Sequence, residues 1–362
     1  MILPQRISGI RGVFDHGRAN GPVVKSTIWR PLSNARLRIR AEANTNTTTP
    51  ITDSSILYTA LNTACDNLRR APAALRVDFS GPVLDSYEQL KSAGVTPKWG
   101  SAVTDALRRR NVFIGELRQV GIKNPDKIAV PSVRNDAAFL FSVVASTSVL
   151  AVLAGQLPGD WGFFSSYLIG GITLAVLAVG STAPGLLAVI IDKFSQVFPD
   201  YKDRVLKHEA AHFLVGYLLG VPITGYSVEL GKEHTEFAEA KIQQRIIERT
   251  LTDEEIDVLA LVAVAGIAAE GRDYDEVMGQ TADLTDLQRL LLRSRTRLSD
   301  AQQQNVTRWA VWSAAGLLRS HAAEHRALAE AMRGGAGVAE CVQAIEAAQP
   351  AAAAAGSGVA GR

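Results

Sequence analysis

The sequence predicts a mainly α-helical protein: a helical domain with a short β segment, preceded by a two-helix transmembrane hairpin. Three observations carry that expectation. Two long runs, 137–157 and 163–191, contain no charged residue. Apolar residues recur at helical spacing over 201–220 and 256–270. And His208-Glu209-Ala210-Ala211-His212 sets two imidazoles four residues apart, a spacing that stacks them on one helix face.

With 362 residues the chain has room for one large or two small domains plus appendages, and a net charge of +2 offers no global case for a nucleic-acid partner. Cys65 and Cys341 lie in unrelated segments without C-x-x-C spacing, so neither a disulfide framework nor a thiolate metal site is expected. A reducing compartment is the simplest reading.

Taken from the N-terminus, residues 1–40 carry Arg6, Arg11, Arg18, Lys25, Arg30, Arg36, Arg38 and Arg40 against one acid, Asp15, and hold no long apolar core. Such a basic, acid-poor leader reads as an organellar transit peptide. The run Leu37-Arg-Ile-Arg-Ala-Glu-Ala43 is similar to plastid processing sites, with cleavage near Arg40 or Ala41; mitochondrial import is the alternative. Residues 41–53, rich in Asn and Thr, read as a linker. Residues 54–136 form a soluble helical segment, with helix-like patterns at Ser54–Arg70, Ser86–Ala93 and Gly100–Val120 broken by Pro72, Gly81-Pro82, Pro97, Gly121 and Pro125. The charged stretch Ala106–Gln119 reads as a solvated helix face.

The runs 137–157 and 163–191 are each long enough, at helical rise, to cross a bilayer's hydrocarbon core. Trp161, Phe163, Phe164 and Tyr167 suit the interface, and Pro184 is expected to kink or end the second helix. Lys123, Lys127 and Arg134 precede the pair, Lys193, Lys202, Arg204 and Lys207 follow it, and the connecting loop holds only Asp160. The positive-inside rule then puts both soluble parts on one side, the stroma if the membrane is the thylakoid or inner envelope of a plastid.

Residues 192–348 hold the chemistry. Tyr201–Gly220 reads as a helix stopped by Gly220 and Pro222, with His208 and His212 aimed at one point and Glu209 beside it. Two such histidines suit Zn2+, and Glu209 suits a general base that takes a proton from the attacking water. A zinc-dependent peptidase is therefore the expected activity, and a helical zinc-metallopeptidase domain the expected fold. A third ligand is needed, and two acids compete for the place. Glu270 closes a helix opened by the capping box Thr252–Glu255 and ended by Gly271, whereas Asp283 lies in the first turn of a helix for which Thr281 is the expected N-cap. Ile223, Tyr226, Val228 and Leu230 form a strand-like segment, either an exposed edge that aligns a polypeptide substrate or a cover for the core. His321-Ala-Ala-Glu324-His325 spells an inverted zinc motif without a downstream acidic ligand, and is read as chance within a helix Ala322–Met332. His234 is placed in a surface loop, Ser299–Gln302 as a capping box, and 349–362 as a disordered tail.

In order and approximate spacing, His208-Glu-Ala-Ala-His-Phe-Leu-Val-Gly-Tyr-Leu-Leu-Gly220, Ala265-Gly-Ile-Ala-Ala-Glu270 and Gly279-Gln-Thr-Ala-Asp-Leu284 resemble the peptidase domain of FtsH-type membrane zinc metalloproteases. The resemblance implies Asp283 as third ligand and makes Glu270 a structural carboxylate. Ala211 stands where that family usually has glycine. The family's ATPase module is missing: no G-x-x-x-x-G-K-[ST] loop occurs. The whole layout resembles plastid FtsH-related proteins without that module. Proteolysis would then need partly unfolded substrates, an ATPase or FtsH-type partner, or a homo-oligomer. The alternative is a membrane scaffold or assembly factor that keeps the peptidase fold without cutting.

Overall fold

The structure, a computed structural model, describes residues 54–349 except 73–74, 103–107, 131–133, 183–189, 192, 196–197, 230–232 and 239–244. The leader 1–40, the linker 41–53, Pro184, Leu230 and nearly all of the tail lie outside the described residues. Elements follow in the order α1 (Ser54–Arg70), α2 (Arg76–Ser92), α3 (Ile114–Gln119), α4 (Arg134–Ala154), α5 (Asp160–Thr182), α6 (Tyr201–Leu218), β1 (Ile223–Ser227), β2 (His234–Phe237), α7 (Asp253–Ala263), α8 (Ala265–Asp273), α9 (Gln280–Leu292), α10 (Asp300–Ser320), α11 (Ala322–Arg333) and α12 (Val338–Ala347). The protein is mainly helical, with two apolar helices, α4 and α5, among them.

Helix α6 is the axis. Its apolar residues surround it, with Ala210, Ala211, Phe213, Leu214, Val215, Tyr217 and Leu218 fully buried, as a helix at the centre of a core must be. Helices α7, α8, α10 and α11 and both strands pack around it.

Residues N-terminal to the apolar pair belong to the same core. Trp99 stacks on Tyr87 at 4.2 Å between ring centroids and meets Tyr217 of α6 at 5.3 Å. The Tyr217 hydroxyl donates to Glu346 Oε1 at 2.6 Å, and the Lys98 backbone N–H donates to the same oxygen at 2.9 Å. Lys98 Nζ also donates to the carbonyls of Ile345 and Ala348, each at 2.7 Å, so its cation sits at the negative end of α12 and satisfies carbonyls that the helix leaves open.

Three expected elements differ. Helix α2 runs through Gly81-Pro82 instead of starting after them. Proline removes one ladder bond and costs about 3 kcal/mol in a helix interior, but continuing the helix buries Val83, Tyr87 and Leu90 completely. Of the helix expected over Gly100–Val120, only Ile114–Gln119 is helical among the described residues; the Gly100 and Ala102 N–H groups instead bond Tyr217 O at 3.1 Å and Leu218 O at 2.9 Å and close the end of α6. The strand after α6 covers the core: Ile223 O accepts from Tyr87 Oη at 3.0 Å on one side, and β1 pairs antiparallel with β2 on the other. His234 therefore opens a strand, not a loop. Its four-residue strand, His-Thr-Glu-Phe, has no apolar alternation to announce it.

Helices α4 and α5 pack against each other as a hairpin and meet mid-length, where Thr173 Oγ1 donates to Thr147 Oγ1 at 2.7 Å. Only 6% of each apolar window is buried, and Phe141, Val152, Trp161, Phe163 and Leu174 are exposed. A core helix of a soluble protein would be covered; these are not.

Because Trp99 joins the segment before the hairpin to α6, Trp99→Ala should cost about 3–5 kcal/mol. In chemical denaturation followed by circular dichroism, a single transition should move as a whole. Two separate transitions would show that the segments fold independently.

Candidate metal centre

His208 and His212 stand one turn apart on α6, and Asp283 faces them from the first turn of α9. The two Nε2 atoms are 3.1 Å apart, and Asp283 Oδ2 lies 3.3 Å from that of His208 and 3.4 Å from that of His212. Among the described residues they form the one group of three such side chains that could hold a metal ion.

The ring tautomers follow from what the other nitrogens touch. His212 Nδ1 is 2.7 Å from the carbonyl of Val262, which only accepts, so Nδ1 carries the proton and Nε2 a lone pair. His208 Nδ1 is 2.8 Å from Glu270 Oε1. Glu270 also accepts from the backbone N–H groups of Met278 at 2.9 Å and Gly279 at 3.2 Å, and Arg204 Nη1 lies 3.7 Å from it. A carboxylate so occupied orients a histidine and has no oxygen left for a metal. Of the two competing acids, then, Asp283 joins the histidines and Glu270 stands behind one of them.

Three lone-pair-bearing atoms thus face one point. Asp283 Oδ2 is buried, and beyond the two imidazoles no group reaches it. Such a cluster of acceptors is stable only around a cation or a proton. Burial alone would lower the pKa of His208 and His212, but Asp283, and for His208 also Glu270, more than offset it and hold both above the ordinary histidine value. Asp283 is buried too, a change that would raise its pKa, yet the two imidazoles pull it well below the usual carboxylate range.

Two backbone features make room for this cluster. The helix expected over Ile256–Glu270 breaks at Val264, where α7 ends and α8 begins, and Gly271 lies inside α8, not beyond its end. The break turns the carbonyl of Val262 towards His212 Nδ1. It also brings Gly266 against the other ring: a Cβ there would sit 2.2 Å from His208 Nε2, and one on Gly279 would sit 2.8 Å from His208 Cε1. Helix α9 is capped by Gly279 in place of the expected Thr281, so that the Met278 and Gly279 N–H groups remain available to Glu270.

Glu209 points to the neighbouring side of α6. Its Oε2 accepts from Thr235 Oγ1 of β2 at 2.9 Å, so the second strand reaches the glutamate next to His208. The sequence assigns Thr235 no role, and points to Arg204 only by its charge and to Gly266 and Gly279 only within the motifs of the resemblance. Arg204, one turn before His208, also donates to Glu276 O at 2.9 Å and lies 3.8 Å over the Tyr274 ring. Ala211 is fully buried in the core side of α6.

Among the described residues, the other histidines do not assemble a second site. His325 Nε2 is 2.9 Å from the carbonyl of Lys207, while Glu324 pairs with Lys98 at 3.2 Å and with His321 at 3.5 Å. His234 is 3.1 Å from Glu236 on an exposed edge. Burial pushes the thiols of Cys65 and Cys341 up to about 12, which keeps both protonated and out of metal chemistry.

No family model matches the chain, and neither does any curated protein or solved structure. The site stands on its own geometry.

Two outcomes follow from it. Gly266→Ala drives a methyl group into the His208 ring and should weaken divalent-metal binding by about 10–100-fold, read by competition titration, with the helical circular dichroism retained. Because the ligand nitrogens must be neutral to bind a metal and their pKa values are raised, apparent affinity should fall as pH drops through neutrality. Metal uptake at pH 7 should accordingly release protons, measurable by calorimetry in buffers of different ionisation enthalpy; uptake without proton release would contradict the assignment.

Proposed function

We propose that the chain is a membrane-anchored zinc metalloendopeptidase without an ATPase of its own. The observation that carries the reading is the set of Nε2 atoms of His208 and His212 and Oδ2 of Asp283 at 3.1–3.4 Å from one another, with Glu209 adjacent. For ligand bonds of about 2.0–2.1 Å at tetrahedral angles, ligand atoms stand about 3.3 Å apart, and two imidazoles with one carboxylate suit zinc better than the oxygen-seeking cations. Three protein ligands also leave a fourth position for water or substrate.

When bound, the ion would supply Lewis acidity, lowering the pKa of a water and neutralising negative charge that develops on a peptide carbonyl oxygen. The remaining steps belong to the chain. Glu209 takes the proton of the attacking water and returns it to the leaving amine, so its carboxylate is both base and acid in one turnover. Thr235 holds Oε2 of that carboxylate, which leaves Oε1 to handle the proton. Glu270 and the Val262 carbonyl keep each imidazole in the tautomer whose Nε2 binds. Strand β2, paired with β1 on one edge only among the described residues, is suited to align an extended polypeptide beside Glu209 by main-chain hydrogen bonds.

The exposed apolar hairpin supports the membrane anchor, and the basic leader supports a plastid membrane, thylakoid or inner envelope, with the peptidase in the stroma; the mitochondrial inner membrane is the alternative. The three motifs support kinship with the FtsH-type proteases. Lacking a nucleotide loop, the chain would act on partly unfolded membrane or stromal polypeptides, alone, as a homo-oligomer, or fed by an ATPase or FtsH-type partner. That same lack favours a second reading, a non-proteolytic scaffold or assembly factor that keeps the fold.

Casein proteolysis by the purified wild type and by Glu209→Gln separates the two. The variant should keep its zinc and lose activity by about 10²–10⁴-fold. Zinc bound in both and proteolysis in neither would favour the scaffold.

A further inference from the structure

The chain that enters the first apolar helix lies against the loop that joins Glu270 to Asp283. Lys123 N donates to Gly271 O at 2.9 Å and Lys123 Nζ to Asp273 O at 2.7 Å. Asn124 Nδ2 donates to Asp275 O at 2.9 Å, and Lys127 pairs with Glu276 at 2.6 Å. The two segments advance in step, and the last contact falls on Gln280, the first residue of α9. Gln280 is 1% exposed. Its Oε1 accepts from Ala129 N at 2.8 Å, and its Nε2 donates to the carbonyls of Val130 and Val277. One side-chain amide thus pairs with this strap, residues 123–130, as a peptide group would, four residues before α4 begins at Arg134. Ala129, whose N–H it receives, has φ 68, a left-handed conformation that residues with a Cβ rarely adopt and that persists where surrounding contacts enforce it.

The three metal-facing side chains are not held equally. Both imidazoles are fixed from behind, by Glu270 and by Val262. Asp283 Oδ2 has no such partner, so its place depends on where the first turn of α9 sits. Gln280 is three residues before Asp283 in that turn.

We propose that Gln280 is a positioning residue through which the chain entering the first apolar helix sets the place of Asp283 in the metal centre. The centre then extends to the strap. This rests on the metal-centre reading and is independent of whether the chain cuts peptides.

The test uses the full chain in detergent or lipid nanodiscs, titrated with Co2+, whose visible absorption reports the ligand set. Gln280→Leu removes all three hydrogen bonds of the amide and should weaken Co2+ binding about tenfold and shift the absorption bands. Gln280→Glu keeps an acceptor for Ala129 N and loses the donor to Val130 O, and should fall between that variant and wild type. Lys127→Ala removes an exposed partner that does not enter the core, and should produce a smaller loss in the same direction even where Gln280→Leu fails to fold. Wild-type affinity and spectrum in a folded Gln280→Leu would overturn the proposal, as would lowered thermal stability of the metal-free protein with Co2+ binding unchanged. If Gln280→Leu does not fold, unchanged binding by Lys127→Ala overturns it. A wild type that binds no Co2+ would remove the metal centre itself, a failure distinct from wild-type binding with indifferent variants.

Discussion

The rest of the structure depends on where two protons sit. Once the Nδ1 protons of His208 and His212 are given to Glu270 and Val262, both Nε2 lone pairs face inward, and Asp283 closes the group. Each of those acceptors demands something of the backbone. The carbonyl of Val262 meets His212 at the break between α7 and α8, where it also accepts from the Val264 N–H that caps α7. A buried carboxylate behind His208 requires donors, and the turn before α9 provides two backbone N–H groups, with Arg204 nearby to balance charge.

The histidines therefore sit in a cage whose walls are mostly main chain. Glycine is the only residue that lets main chain approach so closely, at Gly266 on one side of the ring and Gly279 on the other. Glu209 is treated differently. One of its oxygens is held by a hydroxyl on a short strand, on the neighbouring side of α6 from the two imidazoles.

Much of this was legible in the sequence. The helix over Tyr201–Leu218, the capping boxes at Thr252 and Ser299 and the two apolar runs follow from local rules of spacing and capping, and the structure contains them. The metal-facing trio was legible in part, with the choice between Glu270 and Asp283 left open by the residues alone. What was not legible is what tertiary contacts decide. Nothing local in Val262 or Val264 marks a break made to serve a histidine on another helix. Pro82 reads as a stop until the burial of Tyr87 and Leu90 is known. Gly100 and Ala102 read as helix although their N–H groups close the end of α6. Arg204 could have been noticed as the residue one turn before His208; Gln280 and Thr235 carry no local signal.

The stacking of Trp99 between Tyr87 and Tyr217 makes the apolar hairpin an insertion inside one domain. During synthesis the part made first cannot bury its aromatic face until α6 has emerged, some hundred residues later, and α12 later still supplies Glu346. Leu61, Tyr87 and Trp99 stay uncovered meanwhile, open to chaperones and to aggregation. A chain interrupted anywhere within the hairpin would leave behind half a core, so both apolar helices must be in place before the enclosing domain can close.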